Sequence, residues 1–300
     1  MIEFFKTSVF YGHNTIVKRY SRFPTFLPLP VSIQHGWHFI PEKVDVAKNG
    51  TTWVWSDNIK QQFQNNFNDS EFRVYGSPFL YLVRDMKIDK DNLHTRNGSI
   101  VFPAHSSHEL QVSYDYEIYA KMLNELPDEY KPITVCMYYS DIDKKHNEIF
   151  EKYGLPVTSN GEKRNDEEFL LRFIENVKDK KYAFSNQMTT ALLYCVHLGL
   201  RSFYYGPEIS VQDEGNESWG EYDATYIERK SIEERKRYFQ FPELDVDAQN
   251  QFVSDELGEK YILTKSKMRW MLISNALTIR YSAKLCRLFL NKVGILRRKS

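Results

Sequence analysis

The stretch 182-YAFSNQMTTALLYCVHLGLRSFYYG-206 decides the fold. A short aromatic run, YAFS, stops at the polar pair Ser185-Asn186. QMTTALLYCVHLG then carries apolar residues through its later turns and ends on a glycine, the pattern of a packed helix. LRSFYYG is aromatic and extended again. A strand, a helix and a strand in so short a span close as a parallel pair with a crossover helix.

The same alternation runs upstream. ITVCMYYS (133–140) and LPVTSNG (155–161) read as strands, and KKHNEIFEKYG (144–154) and NDEEFLLRFIENVKDKK (165–181) as helices. Earlier, TSVFY (7–11), VSIQH (31–35), TTWVWS (51–56), FRVYG (72–76) and SIVFPAHS (99–106) read as short strands. NIKQQFQNNF (58–67) and YDYEIYAKMLNEL (114–126) show helical spacing, and residues 84–98 read as turn-rich. PDEYKP (127–132) breaks the chain with two prolines. The expected architecture is α/β, with two Rossmann-like lobes built on parallel sheets. The lobes are placed at residues 1–128 and 129–260, followed by a C-terminal segment, 261–300.

The totals bound what such a chain does. Its 300 residues are 42% hydrophobic and 27% charged, enough for real cores. Net charge is zero, but residues 268–300 hold eight Lys+Arg and no acid, which leaves an acidic body. An acidic body argues against nucleic acid as a partner. The three cysteines are widely spaced with no CxxC pair, so no zinc site is expected. The N-terminal residues lack a secretory pattern and no apolar run approaches membrane-spanning length, so the expected compartment is the cytoplasm.

In open parallel sheets, ligands sit beyond the carboxyl ends of the strands. The residues that follow the strands here are rich in His, Ser, Asn and Gly, which suits a ligand with phosphates and hydroxyls. Ser185, Asn186, Thr189 and Thr190 surround the start of a helix, a natural seat for a donor phosphate. His35 ends a strand beside the permissive Gly36, and imidazole is a competent base near neutral pH. An ordinary turn histidine is the alternative. Trp37 offers a flat face for a sugar ring, and His13 a further acceptor contact. His105 and Ser106 could hold donor or acceptor oxygens, with a helix cap as the plainer account. His38 and His108 have weaker cases; His146 is expected in solvent and His197 in a core. Asp141-Ile142-Asp143 could bind a metal-nucleotide complex, with an N-cap as the plainer account, and no metal or cofactor is assigned.

The 182–206 stretch resembles the donor-binding loop and helix of GT-B glycosyltransferases, and YGLPVTSNGEKRNDEEFLLRF resembles their second domain. IQHGW and FPAHSSHE are similar to elements of bacterial capsule and lipopolysaccharide sugar transferases and of CDP-glycerol polymer transferases. Two departures stand out: His105 is followed by Ser rather than Pro, and the acidic-acidic-Gly base motif is missing. The resemblance implies a glycosyltransferase that uses a nucleotide-sugar donor as co-substrate and a glycan or glycolipid acceptor, with the site in the cleft between two lobes. A metal-dependent GT-A-like or glycerophosphate transferase and a non-catalytic glycan-binding protein are the competing functions.

Along the C-terminal stretch, Arg269, Arg280, Lys284 and Arg287 would share one side of a helix. A basic amphipathic helix reads as an interfacial anchor on anionic lipid at the inner membrane face, and a terminal helix packed on the body is the competing account.

Overall fold

The computed structural model describes residues 3–37, 43–47, 50–67, 70–90, 95–105, 110–161, 163, 165–213, 233–278, 281–283 and 285–287. The chain forms two compact units, each drawn from several segments. The first comprises Met1–His35, Pro41–Met86 and Gly258–Ser300, and the second Gly36–Ile40 and Lys87–Leu257.

In the first unit, strands β1 (Val31–Ile33), β2 (Thr51–Val54) and β3 (Glu71–Val74) form a parallel sheet in sequence order. Helices α1 (His13–Ser21), α2 (Asp57–Asn66) and α3 (Pro78–Met86) connect or flank them. Every residue of β1 and β2 is buried, as strands covered on both faces require. The centre is aromatic: Tyr81 lies edge-on to Tyr20 at 4.9 Å and to Trp53 at 5.6 Å. Ser56 caps α2 by accepting from the Ile59 N–H at 3.3 Å.

Two sequence expectations fail in this unit. TSVFY is not a strand but part of a 3-10 turn, Lys6–Gly12, which ends with Tyr11 and Gly12 in the left-handed region at φ 54° and 74°. That reversal launches α1, and the β-branched and aromatic side chains of TSVFY serve packing instead. Helix α3, Pro78–Met86, was not expected: it begins where proline's missing N–H costs nothing and runs into the stretch read as turn-rich from residue 84.

In the second unit, β4 (Ser99–Val101), β6 (Ile133–Cys136), β7 (Val157–Thr158), β8 (Tyr182–Ser185) and β9 (Arg201–Tyr204) form one parallel sheet in the order β7-β6-β4-β8-β9. The chain starts in the middle, builds outward to one edge, and returns to build the other. That is the 3-2-1-4-5 order of a doubly wound sheet, with its reversal between β4 and β8. The helices are α4 (Tyr116–Asn124), α5 (Tyr139–Asp143), α6 (Asn147–Lys152), α7 (Phe169–Val177) and α8 (Thr190–His197). A small antiparallel pair joins β5 (Leu110–Ser113) to β10 (Ser210–Asp213). Tyr119, Val135, Phe150, Phe184 and Phe203 form the core on one face of the sheet.

Strand β4 pairs with β6 and β8, so residues 99–101 belong to the second sheet, and the expected limit at residue 128 falls inside the second unit. The proline break at 127–132 is an interior loop: the Pro132 carbonyl accepts from the Ser99 N–H at 2.9 Å. Helix α9 (Val246–Leu257) completes this unit, and α10 (Lys265–Ala276) returns to the first.

Candidate functional site

His35 lies just past β1, where Gln34 ties the strand ends together. The Gln34 side-chain carbonyl accepts from the Trp55 N–H at 3.1 Å, and its backbone carbonyl accepts from the Trp55 indole at 3.2 Å. A 3-10 turn, Lys43–Asp45, is pinned to β2 where the Ala47 N–H donates to Thr52 Oγ1 at 2.8 Å. The turn delivers a fully buried carboxylate to the histidine. Asp45 Oδ1 is 2.8 Å from His35 Nδ1 and also accepts from the His35 N–H at 3.1 Å. An ionised carboxylate only accepts, so the proton sits on Nδ1 and Nε2 keeps its lone pair. Phe10 stands edge-on to the imidazole at 5.4 Å and limits its rotation.

His13, at the first position of α1, is fully buried, and neither ring nitrogen has a hydrogen-bond partner among the described residues. Its ring is 6.4 Å from Trp55 and 6.0 Å from Tyr11, both edge-on. Burial, with the charge of nearby His35 adding to it, pushes His13 down to about 3. His13 therefore stays neutral near pH 7. His13 exposes no surface to an acceptor in this conformation.

Trp37 does not present the open face expected of a sugar platform. It is 6% exposed, its indole N–H donates to Glu256 at 2.6 Å, and its ring packs edge-on to Phe252. Its backbone N–H donates to Thr190 Oγ1 at 3.0 Å, so both residues act as anchors within the second unit.

The groups expected to seat a phosphate are also engaged by the protein. Asn186 is fully buried; its carbonyl accepts from the Ala104 N–H at 2.8 Å and its amide donates to the Pro207 carbonyl at 3.3 Å. It clips together the loops that follow β4, β8 and β9. Gly206 is required beside it, because a Cβ there, at φ +136°, would lie 2.7 Å from Asn186 Cβ and 2.6 Å from the Tyr119 ring. Ser185, also fully buried, accepts from the Gln187 N–H at 3.1 Å. Thr189 caps α8 by accepting from the Ala191 N–H at 3.2 Å. These side chains shape the carboxyl edge at the strand-order reversal rather than reaching into it.

His105 follows β4 at that edge, with its ring stacked on Tyr138 at 4.2 Å. Asp141, in α5, is 3% exposed, and burial pushes its carboxyl up to about 6. His146, expected in solvent, lies instead 4.3 Å from the Tyr116 ring, where burial lowers its proton affinity. His197 is only partly buried, with Lys90 Nζ 3.0 Å from its Nε2, so it is not a core residue. Ser106, His38 and His108 lie outside the described residues.

Sequence reading missed Asp45 and Glu256. The signal for Asp45 was its position between Val44 and Val46, since an acid flanked by apolar residues tends to be buried and must be paired. No spacing rule links it to His35.

No family model and no curated protein matches the sequence. Among solved structures, the N-terminal domain of Candida albicans trehalose-6-phosphate phosphatase is similar at 12% identity and a TM-score of 0.32. The match covers 76% of this chain and 58% of that chain, and a likeness so low carries no argument about function.

Proposed function

We propose that this chain moves a sugar from a nucleotide-sugar donor to a hydroxyl of a lipid-linked or growing bacterial surface glycan, using two GT-B-like lobes. The observation that carries the proposal is the His35–Asp45 pair, 2.8 Å apart at the carboxyl edge of a parallel sheet. His35 Nε2 takes the proton of the acceptor hydroxyl as its oxygen attacks the anomeric carbon. The glycosidic bond to the nucleotide breaks, and the leaving phosphate carries away the electron pair. Asp45 fixes the tautomer and stabilises the imidazolium that forms. The doubly wound sheet of the second unit supports the donor assignment, because nucleotides are bound at such strand-order reversals. No metal or cofactor is assigned.

A membrane surface is proposed as a further partner, at the cytoplasmic face. Its support is α10, on which Met268, Met271 and Leu272 are buried while Trp270 and Ile273, with the following Leu277, are exposed at 73%, 42% and 78%. The exposed three fall within an arc of about 60° on a helix. From residue 260 onward the chain has no acid. A cationic helix with an outward Trp fits anionic lipid headgroups. Arg269, expected on the basic face, donates instead to the Ser21 carbonyl at 2.7 Å, while Arg280 and Lys284 lie outside the described residues. Among the described residues, no helix is long and apolar enough to cross a membrane.

The catalytic proposal is tested with His35→Ala and Asp45→Asn, assayed for nucleotide release from UDP-, GDP-, CDP- and CMP-sugars with a glycolipid extract as acceptor. Each substitution should cost roughly 10²–10⁴ in turnover with nucleotide affinity unchanged. Near-normal turnover of His35→Ala would remove His35 from the reaction.

A further inference from the structure

Two acid-free stretches, far apart in sequence, meet in the first unit. Residues 4–41 contain no Asp or Glu, and neither do residues 260–300, in a chain that holds 40 such residues. The loop after α1 and the segment that begins with α10 bring them together. Arg269 Nε donates to the Ser21 carbonyl at 2.7 Å, and the Tyr281 hydroxyl donates to the Pro28 carbonyl at 2.9 Å. Residues 22–28 therefore run beside residues 269–281, tied at both ends. Thr51, the first residue of β2, donates from its hydroxyl to Asn275 Oδ1 at 3.4 Å, and Pro28 lies shortly before Val31, where β1 starts. The contact is thus at the amino edge of the first sheet, the end opposite His35, so substitutions there leave the His35–Asp45 pair in place.

Within the loop, Pro24–Leu27 form a β-turn, in which the Leu27 N–H donates to the Pro24 carbonyl at 3.3 Å. Its flanks are pinned. Phe23 and Leu29 are buried, Lys18 Nζ donates to the Thr25 carbonyl at 3.3 Å, and the Leu29 N–H donates to the Glu3 carboxylate at 2.6 Å. The tip carries Phe26, 82% exposed. Among the described residues, Phe26, Leu277 and Trp270 are the three most exposed large hydrophobic side chains, and all three lie on the two segments that meet here. A turn held in this way keeps its ring in water, and the burial of that ring is gained only against another surface.

The surrounding charge selects that surface. Arg22 and Lys267 are exposed on the same two segments. The neighbouring acids are engaged by the protein: Glu3 pairs with Lys18, both side chains buried, and Asp85 pairs with Arg19 at 3.2 Å and Lys265 at 2.6 Å. Exposed apolar side chains among cations match an anionic bilayer, where the rings enter the acyl boundary and the cations meet headgroup phosphates. We propose that the Phe26 turn is a second membrane-inserting element, which docks the amino edge of the first sheet on anionic lipid together with α10. This inference rests on the membrane contact proposed above for α10. It adds a second point of attachment, which fixes an orientation that a single interfacial helix leaves free to rotate about its axis.

The test is sedimentation of the full chain with phosphatidylglycerol and with phosphatidylcholine vesicles. The wild type should bind the anionic vesicles roughly tenfold or more tightly than the neutral ones. Phe26→Ser should weaken that binding roughly tenfold or more, and Phe26→Leu, which keeps an apolar tip, should retain most of it. In Phe26→Trp, brominated phosphatidylglycerol should quench more fluorescence than in the wild type, a readout that requires insertion and no loss of binding. Undiminished binding by Phe26→Ser, or no added quenching in Phe26→Trp, overturns the turn as an inserting element. If Trp270→Ser with Leu277→Ser weakens binding in that same case, the α10 contact stands without it. Equal affinity for the two vesicles overturns the anionic assignment. Binding of the wild type to neither vesicle overturns both membrane readings, and self-association that Phe26→Ser abolishes would then assign the face to a second copy of the chain.

Discussion

Acidification should destabilise the first unit through His13, and the effect can be worked out in advance. His13 is fully buried, and its proton affinity falls from the ordinary 6.5 to about 3 on folding. Below 6.5 the unfolded chain binds a proton that the folded chain refuses, so stability is lost as pH falls from 6.5 toward 3. Between pH 7 and pH 5 the unfolded state gains about 0.7 of a proton at this site and the folded state almost none, which costs about 2 kcal/mol. The loss approaches about 5 kcal/mol near pH 3, where the folded-state histidine begins to titrate. His13→Leu removes the titrating group and also removes two buried nitrogens that have no partner, each a penalty of about 1–3 kcal/mol. The variant should therefore match or exceed the wild type at pH 7, and its advantage should widen by about 2 kcal/mol at pH 5. The assay is urea unfolding at both pH values, followed by tryptophan fluorescence, since Trp53 and Trp55 are fully buried in the same unit. The comparison between variants cancels the titrations that are not coupled to His13. A pH dependence identical in the two proteins would show that His13 is protonated or solvated in the folded state, and would refute the argument.

Two further outcomes follow from burial and exposure. Cys136 and Cys195 are buried, and burial pushes the Cys136 thiol up to about 12, whereas Cys286 is exposed. One thiol per folded chain should react quickly with Ellman's reagent and the other two only on unfolding; three equivalent rates would contradict the packing. Trp270→Ser with Leu277→Ser should weaken sedimentation with phosphatidylglycerol vesicles roughly tenfold or more, since burying one such side chain is worth about 1.5–3 kcal/mol. Undiminished binding, or no binding by the wild type, would remove the membrane as the partner of α10.

The strands of the two parallel sheets were legible from composition and period because their central members are buried on both faces, whereas β5, β10 and α3 were not read. Such strands must be continuous apolar runs ending in small or polar residues, and ITVC, YAFS and TTWV are written that way. Placing His35 at a strand end needed only that pattern and the glycine after it. The N-terminal TSVFY misled for the same reason, since the side chains that suit a strand also suit a packed turn. What decided its fate was the left-handed reversal at Tyr11 and Gly12, which no local preference for Tyr announces.

The sequence by itself determined that this is an α/β chain with parallel sheets and hydroxylic, imidazole-bearing strand ends, because periodicity and burial act locally. Only the tertiary structure decided which of these polar groups the protein itself engages. Ser185, Asn186 and Thr189 read as a phosphate seat, yet backbone N–H groups left over at the strand ends claim them. Asp45 drew no notice in the sequence, yet it orients His35, and Asp141, read as part of a possible metal site or an N-cap, is buried in α5. Strand order decided the rest: β4, early in the chain, pairs with β6 and β8 and so carries His105 into the second sheet. Such pairings join residues far apart in sequence, and hydrophobic pattern, which specifies that a strand is buried, does not specify its neighbour.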